Sequence, residues 1–174
     1  MTTADENPCL RCTMEQDCCN RLRGLKVTRN EFERYFQAHS EKLSITPATQ
    51  SGAVLVISTN DAKACPNWKD GGCTVYNERP IECRLFPYTT AGIVERRNRI
   101  EIGFHRRTNC PLKNELLMPE DDARSLIALF GKRAFGEDKT IIVYHAEPKR
   151  PTLAVAACLE PCHWGRKGAS LRLN

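Results

Sequence analysis

The sequence predicts a small single domain of the α+β class that is loop-rich and stabilised by metal. The chain has 174 residues, of which 41% are hydrophobic, and this suffices for one domain with a modest core. Patterns for two main helices and for a short antiparallel sheet or hairpin are separated by irregular segments. The chain also contains ten cysteines, which is many for its length. Metal bound by these cysteines could supply the stability that the irregular segments lack.

The first helix is predicted to begin after Thr28. Thr28 and Glu31 have the spacing of a capping box, in which a hydroxyl and a carboxylate satisfy free amide groups at a helix start. Three aromatic residues then recur with helical spacing and indicate an ordinary core-facing helix: Phe32, Tyr35 and Phe36. The residues Thr46-Pro47 are expected to end this segment.

A buried strand is predicted at Val54–Ile57, which is a short, continuous apolar run rich in β-branched residues. Residues 61–70 have the composition of a loop. The sequence Asp70-Gly71-Gly72 then predicts a turn immediately before Cys73.

A hairpin is predicted after Pro87. Residues 88–90 are expected to be extended, and a turn is expected at Ala91-Gly92, followed by Ile93 and Val94. The second strand alternates apolar and other residues between positions 99 and 104. Because that strand leads towards Cys110, a cysteine that is distant in sequence can return to the others.

The second helix is predicted from Pro119 to Phe135. Proline suits its first turn, and three acidic residues at 120–122 suit the positive end of the helix dipole. Gly131 or Gly136 is expected to end it. A further strand is predicted at Thr140–Tyr144.

We divide the chain into a flexible lead at residues 1–8, a cysteine-cluster metal-binding region at 9–111, a helix and strand at 112–147 that complete the same domain, and a basic irregular tail at 148–174. The N-terminus lacks the basic and apolar regions of a signal peptide. No apolar run approaches 18 residues, so no membrane span is expected. These features predict a cytoplasmic location.

Ten cysteines in a cytoplasmic protein favour metal thiolates over a disulfide framework, because disulfides are scarce in reducing compartments. Free buried thiols are the other alternative. The pair Cys9 and Cys12 has the two-residue spacing that suits a metal-binding turn, and thioredoxin-like redox motifs share this spacing. No strand pattern precedes it, which argues against the redox interpretation.

Eight cysteines suit two four-ligand sites, or one site with additional free thiols, and the sequence leaves their grouping open. Neighbouring side chains diverge, so Cys18 and Cys19 are poorly placed to bind one ion together. Soft thiolates favour zinc or an iron–sulfur cluster such as 4Fe-4S. The candidate ligands are Cys9, Cys12, Cys18, Cys19, Cys65, Cys73, Cys83 and Cys110.

The positive charge of the chain is weak evidence for a nucleic-acid partner. The formal net charge of +5 counts the cysteines as neutral. Eight thiolates around two divalent ions would lower it to +1, because metal-bound thiolates are deprotonated. A nucleic-acid or protein interaction module remains an alternative through the arginines of the predicted hairpin region, Arg96, Arg97, Arg99, Arg106 and Arg107.

The cysteine pattern resembles that of the YkgJ-type cysteine-cluster family, whose members are described as chelating zinc or iron through eight such cysteines. The resemblance covers about residues 9–111 and includes a specific Arg-Pro-x-x-Cys-Arg-x-Phe-Pro signature. The chain differs from the family in having five residues between Cys12 and Cys18. The residues that carry the resemblance, besides the eight cysteines, are Tyr76, Arg79, Pro80, Arg84, Phe86, Pro87 and Pro111.

Four signature residues are expected to support the metal ligands. Arg79 and Arg84 could donate hydrogen bonds to sulfur or offset thiolate charge, and both could equally be surface arginines. Tyr76 and Phe86 are expected to shield the site from water. A further metal site, or a replacement ligand, could come from Cys158, Cys162 and His163, for which incidental thiols are an equal alternative.

The sequence therefore predicts a metal-binding protein and names no reaction. It contains no phosphate-binding loop, dinucleotide-binding glycine fingerprint or His-Glu-x-x-His motif. Whether the chain is an enzyme stays open. An iron–sulfur redox protein or a cluster-supported transferase is the enzymatic alternative, since some larger relatives are associated with lysine N-methylation of flagellin.

Overall fold

The first β-sheet is antiparallel and has the strand order β1-β3-β2. The computed structural model describes residue 19, residues 21–107 and residues 118–147. The central strand β3 carries the apolar run that the sequence predicts as a buried strand, and it extends two residues further. The three strands are β1 (Leu25–Thr28), β2 (Leu43–Pro47) and β3 (Val54–Thr59).

Helix α1 (Arg29–Tyr35) follows β1 in the sequence and begins where the sequence predicts. The Thr28 hydroxyl accepts a hydrogen bond from the Glu31 amide, and the Glu31 carboxylate accepts one from the Thr28 amide. This is a complete capping box. Phe32 and Phe36 pack against the strands of the first sheet, so the aromatic face of the helix is in the core.

A small hairpin and a one-turn helix follow the first sheet. The hairpin consists of β4 (Trp68–Lys69) and β5 (Gly72–Cys73), and the helix is α2 (Ile81–Arg84). Helix α2 contacts β1 and the longer helix α3 (Glu120–Phe135). Short 3-10 turns occupy Gln37–Lys42, Asn60–Ala62 and Tyr76–Glu78.

If the β4–β5 hairpin is counted as the second sheet, the third sheet has the strand order β6-β7-β8. It packs against α3. Its strands are β6 (Tyr88–Glu95), β7 (Arg99–Arg106) and β8 (Thr140–His145). Ile127 and Phe130 of α3 are fully buried against Ile102 and Phe104 of β7. The strand β8 is parallel to β7, because α3 lies between them in sequence and returns the chain to the same end of the sheet.

Mixed helices and mainly antiparallel sheets agree with the predicted α+β class. The predicted second helix and the strand after it are also confirmed. The helix ends at Gly136, which has a φ of 102°, whereas Gly131 lies within the helix beside Ile141.

Two expected boundaries are wrong. Ala91-Gly92 does not turn the chain but lies within β6, where the register with β7 shifts between Thr90 and Gly92. The strands reverse instead at residues 96–98. The segment that ends at Thr46-Pro47 is not helical throughout, since residues 43–47 form β2. Residues 43–46 do alternate apolar and polar residues, as expected for a strand, although only Leu43 of this edge strand is buried.

Within the parts of the chain that the structure describes, no helix has the length and apolar character needed to cross a membrane.

We expect Phe130→Ala to lower the free energy of unfolding by about 3–5 kcal/mol, because it leaves a cavity in the core between α3 and the third sheet. Urea denaturation followed by circular dichroism measures this change. The matched control is Leu129→Ala, whose side chain is 37% exposed and whose cost should be about 1 kcal/mol or less. Equal costs for the two variants would contradict this packing.

Candidate metal centre

Four cysteines from four separate segments line one cavity of about 240 Å³. None of the four forms a disulfide with another of the four, and all are half-buried. We call this space the cysteine cavity and define it by Cys19, Cys65, Cys73 and Cys83. Each of these four is among the ligands that the sequence predicts, so folding brings half of the predicted set to one place.

The β4–β5 hairpin places Cys73 near Cys65. Asp70 and Gly71 form its turn with φ values of 51° and 79°, a left-handed conformation that favours Asp and Gly. The turn pairs Cys73 with Trp68 across the hairpin. The Trp68 amide in turn donates a hydrogen bond of 2.8 Å to the Cys65 carbonyl. The predicted turn before Cys73 is therefore confirmed, and its geometry decides where that thiol lies.

Backbone hydrogen bonds hold Cys19 beside Cys65. The Cys65 amide donates to the Cys19 carbonyl at 2.8 Å. Three residues later, the Leu22 amide donates to the Lys63 carbonyl at 3.2 Å, and the Leu22 carbonyl accepts from the Thr59 amide at 3.1 Å. The segment that carries Cys19 is thus fastened to the chain that leads from β3 into the cysteine cavity.

Helix α2 carries Cys83 and is held at its start by Glu31 of α1. The Glu31 carboxylate accepts a hydrogen bond of 2.8 Å from the Ile81 amide through one oxygen. Its other oxygen completes the capping box at Thr28. Glu31 is only 8% exposed, so these charge-assisted hydrogen bonds lie in the protein interior. One carboxylate therefore joins the first helix to the helix that carries Cys83.

A second buried carboxylate, Glu82, holds the same helix to strand β6. Its oxygens accept hydrogen bonds from the Thr89 hydroxyl at 2.7 Å, the Thr90 amide at 3.1 Å and the Thr90 hydroxyl at 3.0 Å. Glu82 is 6% exposed and lines the cysteine cavity. Hydrogen bonds to α1 and to β6 therefore fix the position of α2 and, with it, the position of Cys83.

Burial makes two thiols of the cysteine cavity, those of Cys65 and Cys83, hard to ionise without a metal. It raises the pKa of Cys65 to about 11, and the neighbouring Cys73 adds to this while a backbone hydrogen bond at Asn67 opposes it. Burial also raises the pKa of Cys83, with further contributions from Cys65, Cys73 and Glu82, opposed by Arg79. These mutual effects indicate that the thiols of Cys65, Cys73 and Cys83 lie within electrostatic reach of one another.

Three of the four predicted supporting residues line the cysteine cavity, and one does not. The Arg79 guanidinium carbon lies 3.9 Å from the centre of the Tyr76 ring, a cation–π contact. Both of these residues line the cavity, as does Phe86. Arg84 is exposed and is not part of the cavity wall.

The remaining predicted site residues lie outside the described residues: Cys9, Cys12, Cys18, Cys110, Cys158, Cys162 and His163.

The cysteine cavity fits a thiolate metal centre in the number and type of its donors. Four sulfur atoms are what a tetrahedral zinc site or a four-iron cluster requires. Their positions do not converge on one point, since residues 19, 21–107 and 118–147 contain no group of three or more His, Cys, Asp or Glu side chains arranged to hold a metal ion. Binding would require the thiols to move closer together or to combine with cysteines beyond these ranges.

Several residues of the cavity wall, among them Glu82, Trp68 and Arg107, were not predicted to belong to the metal site, and Arg107 was named only among the arginines of a possible interaction module. Glu82 gave no signal apart from its position beside a candidate ligand. Trp68 and Arg107 come from the β4–β5 hairpin and from the residue after β7, and only the fold brings them together. The Arg107 side chain lies 5.8 Å over the Phe86 ring and 3.4 Å from the Thr89 hydroxyl.

A cavity lined by four cysteines is typical of proteins that bind metal through cysteine. Residues 8–111 match the model of the CxxCxxCC family, whose description is "Putative zinc- or iron-chelating domain". The match covers more than half of the 174 residues, and the chain therefore belongs to this family. Comparisons with curated proteins and with solved structures found no match.

We expect Glu31→Gln to lower the free energy of unfolding by about 1.5–3 kcal/mol, because an amide cannot accept all the hydrogen bonds that the two carboxylate oxygens accept. Chemical denaturation measures the loss. Glu33→Gln, two residues away on the exposed side of α1, is the control and should change stability by less than about 0.5 kcal/mol. A Glu31→Gln variant as stable as the control would contradict the role of this carboxylate.

Proposed function

We propose that the chain binds a metal through a thiolate centre in the cysteine cavity. The observation that carries the proposal is that four predicted ligand cysteines, from four separate segments, line one cavity. Membership of a family described as chelating zinc or iron agrees with it. Thiolates are soft ligands, and both zinc and iron–sulfur iron prefer them.

The proposed ligand set comprises all eight cysteines that the sequence singles out. Cys19, Cys65, Cys73 and Cys83 form one group in this proposal, because they share the cavity. Cys9, Cys12, Cys18 and Cys110 either complete this group or form a second one. The match to the family model extends from residue 8 to residue 111, a range that contains all eight cysteines.

The metal is zinc or the iron of a 4Fe-4S cluster, and in either form it would hold residues 60–79 in place. None of the described side chains in this segment is fully buried. After Ile57, the next buried hydrophobic residue along the sequence, among the side chains that the structure describes, is Ile81. Metal–thiolate bonds at Cys65 and Cys73 would supply the cohesion that apolar packing does not provide there.

We place this function in the cytoplasm, where the thiols stay reduced. The proposal assigns metal binding and no reaction.

Anaerobic purification followed by metal analysis and a spectrum from 300 to 700 nm tests the proposal. A brown protein with a broad band near 400 nm, iron and sulfide would identify a cluster, whereas a colourless protein with stoichiometric zinc would identify a zinc site. Protein without either metal, whose cysteines titrate as disulfides, would contradict the proposal.

The same measurement on two cysteine variants tests the ligand set. Cys83→Ser should lose most of the metal and lower the melting temperature, because a serine hydroxyl does not replace a thiolate ligand. Cys158→Ser is the matched control and should keep the metal content of the wild type. Equal metal content in both variants would remove Cys83 from the ligand set.

Metal affinity should rise with pH. The pKa of Cys65 is about 11 without metal and that of Cys83 is also raised, so both thiols hold their protons near neutral pH. A metal must displace these protons, and acid therefore weakens binding. We expect the apparent Zn²⁺ affinity to increase about tenfold per pH unit for each displaced proton between pH 6 and pH 8.

Competition with a chelator of known pH dependence measures this slope. Proton release in a weakly buffered solution gives an independent count of the thiols that bind. An affinity that does not change with pH would contradict binding by protonated thiols.

A further inference from the structure

We propose that the cysteine cavity also binds a small organic carboxylate, held by the guanidinium groups of Arg79 and Arg107. This inference rests on the proposed function only in that the metal and the carboxylate would share one cavity. The size, the charge and the wall chemistry of the cavity each support it.

The cysteine cavity is larger than one metal ion requires. Its volume is about 240 Å³, whereas a water molecule takes up about 30 Å³ in the liquid. Pockets for drug-sized ligands have volumes of roughly 300–1,000 Å³. The cavity therefore has room for a ligand that is larger than an ion and smaller than a typical drug molecule.

The wall of the cavity is positively charged. Four arginines and one glutamate line it, so its formal charge is +3 when the thiols are neutral. Four thiolates with one divalent ion would lower this value to +1. The wall thus attracts an anion in both states. The Glu82 carboxylate already accepts hydrogen bonds from Thr89 and Thr90.

Arg79 offers a hydrogen-bond donor that the described residues do not use. Its Nε atom is buried and has no hydrogen-bond partner among them. A buried donor without a partner is costly, and a ligand oxygen would remove that cost. The Nε–H and Nη–H groups along one edge of a guanidinium form a fork that matches the two oxygens of a carboxylate.

Aromatic rings hold both guanidinium groups before any ligand binds. The Arg79 group lies 3.9 Å over Tyr76, and the Arg107 group lies 5.8 Å over Phe86. The ordering of these long side chains therefore costs less on binding. Other parts of the wall are apolar and would contact the hydrocarbon part of a ligand: Leu22, Phe36, Trp68 and Val75. A carboxylate with an apolar body fits this combination better than inorganic phosphate.

Binding of benzoate and benzamide to the metal-loaded full chain tests the inference. The two probes have nearly the same shape, but only benzoate is charged, so calorimetry should show at least tenfold weaker binding of benzamide. Equal binding of the two probes would overturn the inference. Inorganic phosphate that binds as tightly as benzoate would overturn the assignment to a carboxylate.

Two arginine variants locate the site. Arg79→Gln should weaken benzoate binding about tenfold or more, and Arg79→Lys should weaken it less, because lysine keeps the charge but loses the planar fork. Arg84→Gln is the matched control, since Arg84 lies on the same segment but is exposed and outside the cavity wall. Wild-type binding by a folded Arg79→Gln variant would overturn the inference.

Metal analysis of each sample separates the two proposals. Metal-loaded wild-type protein that does not bind benzoate would overturn the carboxylate site and leave the metal centre. Protein that binds benzoate selectively but takes up no metal would support the carboxylate site and overturn the metal centre. If Arg79→Gln does not fold, as judged by circular dichroism, the carboxylate site is tested by the comparison of benzoate with benzamide in the wild-type protein.

Discussion

Two buried carboxylates hold helix α2, and the arrangement of the cysteine cavity depends on them. Glu31 reaches α2 from the first helix, and Glu82 reaches from α2 to strand β6. Both accept charge-assisted hydrogen bonds in the protein interior, where such bonds are strong because water does not compete. A helix of one turn has little stability of its own, so these bonds and the burial of Ile81 and Leu85 determine where Cys83 lies.

The cysteine cavity combines two kinds of chemistry in one space. Burial raises the pKa of the Cys65 and Cys83 thiols, so a metal must displace their protons, and the arginines keep the wall positive whether or not this happens. Arg79 takes part in both, because it lowers the pKa of Cys83 and its buried Nε–H has no hydrogen-bond partner among the residues that the structure describes. Such a wall suits a centre at which an anion binds beside a metal.

Local patterns predicted those elements whose formation depends on nearby residues. The capping box at Thr28, the apolar run of β3 and the acidic start of α3 all act within one or two turns of chain, and the structure contains each of them. The strand β2 and the register shift in β6 were not predicted. The register shift in β6 depends on pairing with β7, for which a local pattern gives no signal, whereas the short alternation of β2 was overlooked beside the helical pattern that precedes it.

The cysteine spacing alone indicated the chemistry, because thiolates in such numbers favour zinc or iron in any fold that brings them together. It also indicated the family to which the chain belongs. Only the tertiary structure decided that Cys19, Cys65, Cys73 and Cys83 share one cavity, and that Arg79 and Arg107 line it while Arg84 does not. The physical reason is that these neighbours are set by hydrogen bonds and packing between distant segments. The link from Glu31 to Ile81, 50 residues apart, is the clearest example.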